Sequence, residues 1–275
     1  MENTKGTLID GPIFKVLMKL AVPIMVSAFL STAYSITDMI WVGMLGSEVV
    51  AGVGVGGMYI WLSCGLSTLT KIGGQVYVGQ ELGGGKVEKA KIYAETAIWL
   101  TIVFGLIFGT ISLVFAEELA AFFGLDDSIA IASAESYIQI ACGCVIFQYL
   151  GVVLTGLYTA QGDSQTPLKA NFIGLAINMI LDPIFIFNLN LGVKGASYAT
   201  VLSSLIPFIV FVFLYLTGRT KIPLSRKYFK FRLYILVEIF KVAFPNFLDD
   251  GLWAFSSSFI NGILTITMGP IGSVL

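Results

Sequence analysis

The chain has 275 residues, of which 56% are hydrophobic and 12% charged, and its 16 Lys and Arg against 17 Asp and Glu leave a net charge of −1. A soluble domain carries about 25% charged residues, so this composition excludes a water-facing globule, and the near-neutral balance leaves no basic footprint for nucleic acid. Histidine is absent, so any proton or ion chemistry falls to carboxylates, helped by hydroxyls, amides and backbone carbonyls.

About 20 mostly apolar residues cross a bilayer as a helix. In chain order such stretches fall near 15–45, 49–80, 91–115, 131–160, 168–188 and 195–217, and a seventh starts near 234. The first is long, follows basic residues and lacks a small-residue cleavage pattern, so it reads as a permanent span. Connections on one side hold Lys5, then Lys86 and Lys89, then Lys169, then Arg219, Lys221, Arg226, Lys227, Lys230 and Arg232. Those on the other side hold Glu48, then Glu117, Glu118, Asp126 and Asp127, then Lys194 alone. The alternation follows the positive-inside rule and predicts a cytoplasmic N-terminus.

The expected division is a six-helix block over 1–217, a basic cytoplasmic linker over 218–233, and the start of a second block over 234–275. A weak internal echo supports it. Lys19-Leu20-Ala21-Val22-Pro23 opens the first span, and Lys241-Val242-Ala243-Phe244-Pro245 opens the seventh. Both copies start on the same side, so the repeat is parallel, and the chain stops inside the second copy.

Charge in hydrocarbon costs about 2.5–3.5 kcal/mol on insertion scales, which makes each intramembrane ionisable group a functional candidate. Asp38 precedes Glu48, the outer end of span one, by a rise of roughly 15 Å. Asp182 in span five and Thr200 in span six fall in the same outer layer. Asn171, Asn178 and Asp182 repeat at helical spacing and share a face. Pro183 cannot donate to the carbonyl of Met179, which adds a free oxygen. A carboxylate, an amide oxygen and a freed carbonyl suit Na⁺; the same two acids, close together and desolvated, suit H⁺ equally. The competing reading is that they only bond neighbouring helices. Lys71, in the inner half of span two, is expected either to pair with Glu95 or to snorkel. Asp249 and Asp250, early in span seven, are expected to face a cytoplasmic vestibule, to bind a second cation, or simply to be solvated.

Other motifs read as structural. Cys142-Gly143-Cys144 and Cys64 sit in apolar stretches and read as small residues at a helix interface. Gly83-Gly84-Gly85-Lys86 lacks the first glycine and the Ser/Thr of a phosphate loop, so a tight turn is expected. The glycines from Gly52 to Gly57 have the spacing for close helix crossing. No hydrolase triad or transition-metal cluster is present, so the chain is not read as an enzyme.

Four segments together carry a resemblance to a known family. They are Ala21-Val22-Pro23 through Thr37-Asp38, Gly162-Asp163-Ser164-Gln165-Thr166-Pro167-Leu168, Asn178 through Asp182-Pro183, and Gly192-Val193-Lys194-Gly195-Ala196 through Thr200. In order and spacing they resemble the multidrug and toxic-compound extrusion (MATE) family, particularly its prokaryotic DinF-like branch. The resemblance implies an all-α integral membrane fold: a six-helix N-terminal lobe, and a second parallel lobe of which only helix seven is present. It implies cation-coupled antiport of amphipathic, often cationic organic compounds across the plasma (inner) membrane, with no cofactor beyond transported Na⁺ or H⁺. The implied coupling residues are Asp38, Asn178, Asp182 and Thr200, with the backbone oxygen of Ala196, and Tyr34 and Tyr137 would line the cavity. The partners implied are the lipid bilayer, small organic substrates, and either the missing C-terminal lobe or a second half-transporter. A lipid-linked precursor flippase is the alternative within the wider superfamily, although its pyrophosphate would call for several buried cations. A truncated chain, inactive alone, is the other alternative.

Overall fold

Each apolar stretch becomes a long helix or a bent helical pair, broken where glycine lets the chain reverse. The computed structural model describes residues 13–125, 127–218, 220 and 233–268, with backbone alone over most of 250–268. Lys5, Asp126, nearly all of the basic segment 219–232 and the repeat's end at 269–275 lie outside the described residues. The helices are α1 (Ile13–Gly43), α2 (Ser47–Gly83), α3 (Val87–Val114), α4 (Ala116–Ala121), α5 (Ser128–Tyr137), α6 (Ile146–Ala160), α7 (Gln165–Pro183), α8 (Gly192–Leu216) and α9 (Leu233–Met268). Five are long and apolar enough to cross a membrane, and the α5–α6 pair makes a sixth span. With no water in hydrocarbon to satisfy the backbone, helices are the expected solution for an open chain.

The turns explain several sequence patterns. Gly85 takes φ +74° between α2 and α3, a conformation that costs glycine little, so the Gly-rich run is the tight turn expected of it. In Gly162-Asp163-Ser164-Gln165-Thr166, Gly162 makes the reversal at φ +81°. The Asp163 carboxylate then accepts from Gln165 N (3.2 Å), Thr166 N (3.0 Å) and Thr166 Oγ1 (2.6 Å). It satisfies backbone donors that the start of α7 leaves open.

Packing is organised on α2, whose small residues let neighbours approach closely. A Cβ on Gly52 would strike Ala130 and Ser133 of α5, and one on Gly56 would strike the Tyr137 ring. Lower on α2, Gly74 faces Ala97 of α3 and Gly73 faces Ile239 of α9. The glycine run is therefore used for crossing, as its spacing predicts. Around this spine Val78, Ala97, Val153, Leu157, Phe211 and Ile239 form the main core. Helix α9 thus lies against α2, with Tyr93 of α3 donating to the Glu238 carboxylate at 2.5 Å.

Two sequence expectations change. The fourth span is not one helix: α5 runs into a π-helical turn, Ile138–Cys142, and meets α6 at a 48° bend. At the break α3 approaches closely, with Gly109 facing the Gly143 carbonyl. The Cys-Gly-Cys segment therefore serves packing, and among the described residues Cys64, Cys142 and Cys144 form no disulfide. Lys71 does not pair with Glu95; the ion pair among the described residues joins Lys91 to Glu88 at 2.7 Å. Gly156 of α6 leaves room for the Lys71 stem, since a Cβ there would meet Lys71 Cγ at 2.7 Å, and this turns the side chain into the cavity described next.

Candidate functional site

Asn178 and Asp182, four residues apart, occupy one face of α7, and both side chains are fully buried. α7 does not stop at Pro183. It passes into a π-helical turn, Ile184–Asn188, the expected local response where proline removes a helical donor. Gly195 of α8 seats against the Phe185 backbone, which brings α8 across this irregular turn.

α1 supplies the opposing wall. The Asp38 carboxyl faces that of Asp182 at hydrogen-bonding range. Two ionised carboxylates have no donor for one another, and both Asp182 oxygens, Oδ1 of Asp38 and Oδ1 of Asn178 are buried without a hydrogen-bond partner. Buried acceptors left in this way are costly. The Asn178 amide reaches Ser203 Oγ at 3.4 Å. Thr200 Oγ1 donates to the Ala196 carbonyl at 3.1 Å, so that hydroxyl turns its lone pairs outward. Tyr34 and Tyr137 both approach Thr200 within hydrogen-bonding reach. Tyr137 arrives from α5, held against Gly56 of α2.

Asp38, Asp182 and Thr200, which the sequence grouped by depth, are thus brought together, with Tyr34 and Tyr137, named by the resemblance, beside them. Asn171 lies on the same α7 face but lines an adjoining cavity instead, alongside Tyr34 and Thr200. Asp249 is exposed on α9, away from this cluster, and the side chain of Asp250 lies outside the described residues. Sequence reasoning missed Ser203, although its place three residues after Thr200 on one helix was a signal for the same face. It also missed the lining role of Lys71, because nothing in the sequence says that Gly156 stands opposite.

The adjoining cavity has a volume of about 540 Å³ and lies between α1, α2, α6, α7 and α8. Along α6 its lining runs from Gln148 to Thr159, roughly 16 Å at about 1.5 Å per residue. It reaches from the Tyr34–Thr200 end to Ser164 at the α6–α7 turn.

Buried acidic oxygens thus stand beside a polar cavity inside a bundle of membrane-length helices. The MatE family profile matches residues 23–184, more than half of the chain, and the chain belongs to that family. It is 27% identical over 253 residues to the multidrug export protein MepA of Staphylococcus aureus (strain bovine RF122 / ET3-1), a match covering 91% of this chain and 56% of that protein. To MepA of Staphylococcus saprophyticus it is 28% identical over 265 residues, covering 96% of this chain and 55% of that protein. A solved MOP superfamily transporter from Pyrococcus furiosus superposes with a TM-score of 0.91 at 26% identity, over 100% of this chain and 61% of its own. The chain therefore spans a little over half the length of the relatives it matches.

Proposed function

We propose that this chain forms the coupling half of a cation-driven exporter of amphipathic organic compounds. It would sit in the plasma membrane with its N-terminus cytoplasmic, completed by a second lobe or a second half-transporter. One observation carries the reading: four side-chain oxygens of Asp38, Asn178 and Asp182 are buried without donors. An arrangement so costly in hydrocarbon is relieved by Na⁺ or by a shared H⁺. The Tyr34 and Thr200 side chains border both this cluster and the cavity, so filling the acid pair would alter the cavity wall and the hold on a substrate. α1 passes unbroken through Pro23, and bending there is the motion that would transmit the change. The MepA relatives, described as multidrug export proteins, support export of organic compounds.

The test is dye uptake into everted membrane vesicles from cells expressing the intact gene, with a pH or Na⁺ gradient imposed separately. One of the gradients should drive uptake of an amphipathic organic dye. Asp38→Asn should reduce that uptake to the level of vesicles without the protein, while the amount of folded protein is unchanged. Normal uptake by Asp38→Asn would remove the proposal.

A further inference from the structure

Lys71 is the charged residue among those lining the 540 Å³ cavity, and no carboxylate shares the lining. It takes part in no ion pair or hydrogen bond among the described residues. An intramembrane ammonium without a counter-charge is a functional candidate, yet the acid pair has no role for it, because Asp38 and Asp182 engage each other. Around Lys71 several hydroxyls are already committed. Thr159, Ser203 and Ser204 give their protons to carbonyls of their own helices. The donors left for a ligand are the Lys71 ammonium, the amides of Gln148 and Asn171, and the hydroxyls of Ser27, Ser31, Thr155 and Ser164. Apolar walls from Ile24, Val152 and Leu175 complete the space. Its volume falls in the range of about 300–1,000 Å³ typical of small-molecule sites.

We infer that the cavity binds the carboxylate of an amphipathic aromatic acid or zwitterion, with Lys71 as the residue that selects the anionic group. The inference deepens the export reading by naming a substrate class. It predicts that a carboxylate is held better than its neutral amide, since a hydrogen-bonded charge pair in a desolvated site is worth more than neutral contacts. Chloride is the other small anion that such a cation could attract.

The test measures binding of 2-naphthoate and of neutral 2-naphthamide to the purified full chain in phosphatidylcholine nanodiscs, with empty nanodiscs as the blank. Naphthoate should bind more tightly than naphthamide. Lys71→Gln should weaken naphthoate binding by about tenfold or more and narrow the difference between the two ligands, with an unchanged size-exclusion profile reporting that the variant is folded. Equal binding of the two ligands by the unaltered protein would overturn the inference, as would naphthoate binding indifferent to Lys71→Gln. Complete displacement of naphthoate by chloride at low millimolar concentration would overturn it too, marking a halide site instead. Binding is read without any gradient, so failure here leaves the coupling proposal standing, and failure of coupling leaves this one standing.

Discussion

Helices α1 and α3 are both apolar over membrane length, but the protein treats them differently. In the most apolar window of α3, 39% of residues are buried against other helices; in that of α1 the figure is 6%. The hydropathies of the two windows, 2.3 and 1.6, do not account for so large a gap. The difference lies in small and polar residues. α3 presents Gly105 to Ile146 and Gly109 to Gly143, and Thr101 donates to Thr70 at 2.8 Å. α1 leaves Phe14, Leu17, Met25, Phe29 and Ile36 exposed, and its polar contacts gather around Tyr34 and Asp38. Between helices in lipid, apolar surface is no driving force by itself; close approach and hydrogen bonds are. The loosely held helix is thus the one that carries half of the acid pair.

The contrast can be broken by substitution. The largest effect is expected for Gly109→Val, whose side chain would have to displace the Gly143 carbonyl. Overpacking of this kind should cost about 3 kcal/mol, seen as a large loss of monodisperse folded protein on size exclusion. An intermediate effect is expected for Tyr93→Phe, which removes the hydrogen bond to Glu238 between α3 and α9. About 1 kcal/mol should be lost, in line with hydrogen bonds between membrane helices, and a modest drop in thermal midpoint would register it. The smallest belongs to Phe29→Ala on α1, where the ring is 73% exposed; a change within about 0.5 kcal/mol is expected. If Phe29→Ala destabilised the protein as much as Gly109→Val, α1 would be packed as firmly as α3 and the contrast would fail.

Much of the candidate site was legible before the fold was known, because depth in a bilayer can be counted along a helix. Asn178 and Asp182 sit one turn apart on α7 and share a buried face, as their spacing requires. Asp38 and Thr200 were matched to them by distance from the span ends. The failures share a cause. That Asn171 lines the cavity while Asn178 joins the acids depends on what the neighbouring helices place beside two turns of one α7 face, about 10 Å apart along its axis. The turn of Lys71 away from Glu95 depends on the bare surface of Gly156. The bend in the fourth span packs against a neighbour, Gly109, remote in sequence from Gly143.

The sequence by itself determined which stretches are apolar over membrane length and which polar groups share a layer. Hydropathy, turn glycines and the 1.5 Å rise are local properties, and a bilayer of fixed thickness turns them into position. Only the tertiary structure decided which of those groups face one another, because the rotation and tilt of each helix are set by packing against its neighbours. The facing Asp38 and Asp182 carboxyls, and the lysine alone in the cavity beside them, belong to that second kind of information.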